Sequence, residues 1–319
     1  MRTELDIHQV NATIAELKRL DLKTATRDQI YQLLSRLYGH IGVTRKLEKG
    51  RFVQRGVFIG SEEDFPKEVQ RISFNPKGSA MGRCNFDGNS MFYGCISSNV
   101  LEGYINCGFE LLPLSNEEVK DLPPIREHRV IVGNWILSEE TEFVSIGSRS
   151  YLTHLNTDVQ HRNELFYKII SPYQQSMLSF YAIDKFIADE FSKPVPKNEP
   201  WLYKISATYV DMIKANGHKG LIYPSVKSNG AGMNIIIFPE FVTNGLITFE
   251  RCVYGIFYVR EKEVGNEWLM KAKANDGKLV WKDEYGRMPT PLRNFYKGIS
   301  DINPAEGKIK MLDLGNSPS

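Results

Sequence analysis

Two stretches of this chain concentrate residue types that can do chemistry. The first, residues 82–94, reads Gly82-Arg83-Cys84-Asn85-Phe86-Asp87-Gly88-Asn89-Ser90-Met91-Phe92-Tyr93-Gly94. Arg83 offers a planar fork of N–H donors that matches phosphate oxygens, and Gly82 before it lets the backbone come close to a ligand. Tyr93 ends an apolar run, so its ring can stack on a flat ligand while its hydroxyl stays near solvent. The second stretch runs Gly220-Leu221-Ile222-Tyr223-Pro224-Ser225-Val226-Lys227 and continues to Asn234. Pro224-Ser225-Val226 lacks the glycine elbow of a serine-hydrolase nucleophile, so Ser225 reads as an orienting hydroxyl. Each residue has a plainer alternative: Arg83 capping a surface turn, Tyr93 as a half-buried strand tyrosine, Asn234 holding its own loop.

Other chemistries are excluded by what is missing. Ser228-Asn229-Gly230-Ala231-Gly232 lacks the Lys-Ser/Thr of a P-loop, and no GxGxxG opens a helix, so kinase and Rossmann readings fall away. Cys84, Cys95, Cys107 and Cys252 form no CxxC pair and share no metal-ligand spacing with the six histidines, so free thiols and no metal are expected. His154 and His161, with Asp158 between them, read as solvated surface. Forty basic against 38 acidic residues leave a formal charge of +2, which argues for neither a nucleic-acid nor a membrane partner. The N-terminus has no continuous apolar core, so neither signal peptide nor spanning helix fits, and a cytoplasmic location is expected.

Those residues need elements to position them. Ile7, Val10, Ile14 and Leu17 recur at helical spacing, and a second helix is signalled by Thr26 with Gln29 three residues on. Its apolar face, Ile30, Leu33, Leu34 and Leu37, runs to Gly39. Residues 1–48 thus read as an added helical hairpin, docked on the main domain or on a partner, with homo-oligomerisation open. Residues 51–94 read as strands and loops, 101–112 as a helix, 115–124 as an exposed loop and 129–137 as a strand. A helix over 172–191 must end before the three prolines of 193–200, and another spans 201–216. Strands follow at 221–223, 234–238, 253–259 and 268–271, and residues 301–319 form a loosely held tail.

Both chemical stretches resemble the pattern of the RES-domain proteins, NAD-degrading toxins related to the ADP-ribosyltransferases. Residues 82–94 are similar to the family's Gly-Arg-x-Asn run with its aromatic-Tyr end, Tyr93 lying ten positions after Arg83. Residues 220–234 are similar to its Gly-Ile-x-Tyr-Pro-Ser segment with a downstream Asn. The resemblance covers roughly residues 51–257 and implies an α+β, mixed-sheet ADP-ribosyltransferase-like domain over residues 49–300 that binds NAD as substrate. It further implies cleavage of the nicotinamide–ribose bond by water or phosphate, and a neutralising antitoxin as partner. Protein ADP-ribosylation and a catalytically inactive RES-like binding protein are the alternatives. On this likeness Arg83, Tyr93 and Ser225 are catalytic, and Arg55, Asn85 and Asn234 bind NAD. Oxocarbenium character on the ribose also calls for a carboxylate. Here the chain departs from the family, since Glu102 lies nine and Glu110 seventeen positions after Tyr93, neither at the usual spacing. Glu110 is favoured for its small neighbours Cys107 and Gly108, and Glu102 stays open.

Overall fold

Both N-terminal helices form in the computed structural model, which describes residues 5–37, 42–59, 66–97, 100–111, 126–147, 157–228, 232–260, 263–282 and 296–297. The first, α1 (Ile7–Arg19), starts at Asp6, whose carboxylate accepts the His8 amide at 2.9 Å. In α2 (Arg27–Arg36) the capping box closes: Gln29 N donates to Thr26 Oγ1 at 3.2 Å, and Thr26 N donates to the Gln29 side chain at 2.9 Å. The chain continues through β1 (Val43–Leu47), β2 (Phe52–Phe58), β3 (Phe92–Ile96) and α3 (Val100–Leu111). Next come β4 (Arg126–Leu137), β5 (Thr141–Ser145), α4 (Thr157–Ile170), α5 (Met177–Ser192) and α6 (Lys204–Ala215). It closes with β6 (Gly220–Pro224), β7 (Met233–Ile237), α7 (Pro239–Thr243), β8 (Ile247–Arg260), β9 (Glu263–Asn275), β10 (Lys278–Lys282) and the two-residue β11 (Tyr296–Lys297).

The strands join one mixed sheet in the order β1-β5-β6-β7-β3-β2-β4-β8-β9-β10, with β11 paired to β9. Strands β5 and β6 run parallel, and the neighbours of β3 and β7 run antiparallel. Helices combined with a mixed, mostly antiparallel sheet place the chain in the α+β class.

Two cores lie on opposite faces of this sheet. Because side chains alternate along a strand, Leu221, Tyr223 and Ile236 join α5 and α6 on one face, while Ile222, Ile235 and Ile237 pack with Phe92, Ile96 and Trp135 on the other. That double burial explains the three consecutive isoleucines of β7. Leu17 of α1 and Ile30 and Leu34 of α2 belong to the same cluster as Phe186 and Phe191 of α5 and Val210 of α6. The hairpin thus seats on the main domain and contributes to its core.

One helix departs from the sequence reading. The segment holding Asp158 and His161 belongs to α4, whose inward stripe is Val159, Arg162, Phe166 and Ile170. A buried arginine interrupts the apolar period and hides the helix. Arg162 is accommodated because its guanidinium reaches Asp184 of α5 at 2.8 Å and the Ser145 carbonyl at 3.2 Å. The expected helix over 172–191 begins only at Met177, and the one over 201–216 opens with a 3-10 turn, Pro200–Tyr203. The loop at 115–124, the tail at 301–319, Gly39 and His154 lie outside the described residues. Among the described residues no helix is long and apolar enough to cross a membrane.

Candidate active site

Strands β6, β7 and β3 form the floor of the site, and α3 covers it. Tyr223 pairs with Asn234, and Asn234 with Cys95, so these side chains rise from the same face. Pro224 ends β6 and delivers Ser225 at the strand exit, 2% exposed. The following loop is pinned by its own polar groups: Ser225 N donates to the Gly232 carbonyl at 2.8 Å, Ser228 N to Ser225 Oγ at 3.0 Å, and Gly232 N to Ser228 Oγ at 2.8 Å.

Glu110, in the last turn of α3, reaches down to this floor. Its Oε1 accepts the Ser225 hydroxyl and, at 2.9 Å, the Asn234 Nδ2. Three residues far apart in the chain therefore form one group, with a half-buried carboxyl held by two neutral donors. Glu102 also lies on α3, but its side chain is outside the described residues.

A second group braces the loop of residues 79–91. Tyr93 Oη donates to Asn85 Oδ1 at 2.6 Å and accepts the Cys84 amide at 3.0 Å. Asn85, 2% exposed, turns its Nδ2 to the carbonyls of Ala80, Phe86 and Asn89 at 2.9, 3.0 and 3.1 Å. Gly82 is required here because a Cβ would lie 2.9 Å from Asn85 Oδ1 and 3.2 Å from Tyr93 Oη. The Gly-Arg-x-Asn run with its distant tyrosine is thus a self-bracing loop, in which the tyrosine hydroxyl and the asparagine amide hold each other.

The two groups are contiguous through Tyr223, a residue the sequence reading passed over. Its phenol lies close enough to Cys84, Tyr93 and Glu110 to influence their titration and be influenced in turn. Its place in the Gly220 to Ser225 run, two residues before Ser225, is the signal that could have found it. Enclosure raises the Tyr93 and Tyr223 phenols well above their ordinary 10.0 and pushes the Cys84 thiol up to about 12. At neutral pH these three groups keep their protons.

The two arginines lie apart from the carboxyl. Arg83 donates to the carbonyls of Glu190 and Lys193 at 3.1 and 3.0 Å, and its guanidinium stacks over Tyr203 at 5.0 Å. It therefore satisfies orphan carbonyls at the C-terminal end of α5. Arg55 projects from the opposite face of the sheet, over the Phe92 ring at 5.6 Å. Strands β2 and β3 pair only at Val53↔Ile96 and Gln54↔Cys95; beyond that β2 follows β4 and β3 follows β7. Arg55 spans this fork, donating to the carbonyls of Ser73 at 2.9 Å and Tyr93 at 2.7 Å. Enclosure lowers its pKa from 12.5 to about 10, so it stays charged at neutral pH.

These shifts predict an alkaline weakness. Cys84 and Cys252 both rise from an ordinary 9.0 to about 12 through burial. Above pH 9 the unfolded chain releases these protons while the native state still holds them, so stability is full below pH 9 and falls as pH rises toward 12. The thermal midpoint of unfolding should decline steadily over that window, and Cys252→Ala should make the decline shallower. An unchanged slope in that variant would refute the assignment.

Among the described residues no three His, Cys, Asp or Glu side chains are grouped to hold a metal ion. His161 is exposed on α4, and Asp158 pairs with Arg45 at 3.0 Å. Comparison of the chain with protein-family models gives no match. Comparison with curated proteins gives no match either.

Proposed function

We propose that this chain is an NAD-consuming enzyme of the RES type, cleaving the bond between nicotinamide and ribose. The observation that carries the reading is the Glu110 carboxyl bonded to Ser225 and Asn234. Among the described residues both bonds to this carboxyl fall on Oε1, and in this reading Oε2 meets the ribose hydroxyls. When the bond breaks, its electron pair leaves with the ring nitrogen, giving neutral nicotinamide and an oxocarbenium ion at the ribose. Water or phosphate adds to that carbon, and water gives up a proton as it does so. A fixed carboxylate in a site that excludes water stabilises the developing positive charge. Ser225 and Asn234 hold the carboxylate still, so no reorganisation is required at the moment of reaction.

In this reading the chain acts on cytoplasmic NAD as the toxin of a toxin–antitoxin pair, kept silent by a partner protein. A second reading, a RES-like binding protein without turnover, draws on a specific observation: the guanidinia of Arg55 and Arg83 both donate to main-chain carbonyls. Purified protein incubated with NAD distinguishes the two. Free nicotinamide, followed by chromatography with and without phosphate, should accumulate over many turnovers. Folded protein that binds NAD and releases no nicotinamide would establish the second reading, and ADP-ribose found on a protein by mass spectrometry would identify a transferase.

A further inference from the structure

One level of the sheet is polar across five strands. Asn134 of β4 pairs with Gln54 of β2, Gln54 with Cys95 of β3, Cys95 with Asn234 of β7, and Asn234 with Tyr223 of β6. Directly paired residues share a face, so five neighbouring strands carry one row of polar or sulfur side chains, of which the four from β4 to β7 meet α3. None of the five is more than 6% exposed. Burying such a row is unfavourable unless its members find partners.

Helix α3 packs on this row along one stripe and bonds two of its members, Asn134 and Asn234. Gly103 sits so close to Gln54 that a Cβ would lie 2.3 Å from Gln54 Cδ. Tyr104 Oη accepts the Asn134 Nδ2 at 2.6 Å, Cys107 packs with Cys95, and Glu110 accepts the Asn234 Nδ2 at 2.9 Å. Residues three and four apart face the same way, so the row and the stripe read each other turn by turn.

Cys95 stands at the joint between the row and the carboxyl. Its thiol donates to Asn234 Oδ1 at 3.5 Å. An asparagine amide has an acceptor end and a donor end, and a donor on Oδ1 keeps Nδ2 turned toward Glu110. Proximity to Cys107, burial and the nearby Glu110 carboxyl raise the Cys95 thiol well above its ordinary 9.0, so its single proton stays on sulfur, where it meets Asn234 Oδ1.

We propose that Cys95 is a positioning residue for Glu110, acting through the Asn234 amide. The proposal rests on the reading of Glu110 as the carboxylate of NAD cleavage. Cys95→Ala removes the donor, and Cys95→Ser restores one in nearly the same place. Turnover number for nicotinamide release should fall on the order of tenfold in the alanine variant, with KM for NAD changing less, and should largely recover in the serine variant. A second readout needs no turnover: the Asn234 side-chain amide signals in 1H–15N spectra, identified by their loss in Asn234→Ala. They should shift and exchange faster with solvent in Cys95→Ala and return in Cys95→Ser. Signals and kinetics unmoved in Cys95→Ala, or a serine variant no better than alanine, would overturn the proposal. If wild-type protein releases no nicotinamide, the functional reading fails, and the amide signals alone decide the positioning role.

Discussion

Glu110→Gln should lose nicotinamide release by a factor on the order of 10²–10³ while the protein stays folded. Glutamine keeps the volume of the side chain and an oxygen that can accept from Ser225 and Asn234, the two donors that hold Oε1. What it loses is the negative charge, which is needed only when the ribose becomes cationic. Loss should therefore fall on the turnover number more than on KM, because the substrate carries little of that charge before the bond breaks. Glu102→Gln, on the same helix, is the matching control and should keep turnover. Steady-state nicotinamide release by both variants, with circular dichroism to verify folding, is the measurement. Full activity in Glu110→Gln, or its loss in Glu102→Gln instead, would move the chemistry off Glu110.

The second large effect concerns the backbone that delivers Ser225 and Asn234. At Gly220 a Cβ would meet the Ile236 carbonyl oxygen at 1.9 Å and its carbon at 2.9 Å. Both are main-chain atoms of the paired strand β7, in the register Gly220↔Ile237 and Leu221↔Ile236. No rotamer can relieve that clash, so Gly220→Ala must push β6 away from β7 in the middle of the sheet. The cost should be about 3 kcal/mol, at the upper end of overpacking substitutions. In a chain of this size, with an unfolding entropy of about 2.1 cal/mol/K per residue, that corresponds to a fall in the unfolding midpoint of roughly 4–5 °C. Nicotinamide release at low temperature should drop as well, because Ser225 and Asn234 ride on the two separated strands. Calorimetry on Gly220→Ala tests this, and an unchanged midpoint would overturn the clash as the reason for glycine at this position.

The same glycine shows why part of the site was legible in the sequence. A glycine opening a buried strand, a proline closing it and a serine after that proline are local instructions, and they place Ser225 at the rim of the floor. The run from Gly82 to Tyr93 is also local: Asn85 bonds its own loop, and Tyr93 is only eight residues away. The capping box at Thr26 and Gln29 is complete within four residues and needs nothing else.

What the residues could not reveal alone is which of them meet. Arg55 and Tyr93 both read as ligand-facing, yet the Arg55 side chain lies on the other side of the sheet and meets Tyr93 at its main-chain carbonyl. Arg83 reads as a phosphate clamp, and the fold gives its guanidinium to the end of α5. Glu110 and Glu102 share a helix, and the described contact of Glu110 with Ser225 and Asn234 depends on how α3 lies across β7 and β6.

The sequence by itself therefore determined the class of the fold, most of its helices and strands, the hairpin's apolar face and the two short runs that brace themselves. Only the tertiary structure decided the union of Glu110 with Ser225 and Asn234, the face of Arg55, the helix hidden by Arg162 and the hairpin's share in the main core. The physical reason is one of range. Side-chain period and capping act over a few residues, whereas strand register and helix docking join positions more than a hundred residues apart, and a shift of one residue in register turns every side chain to the opposite face.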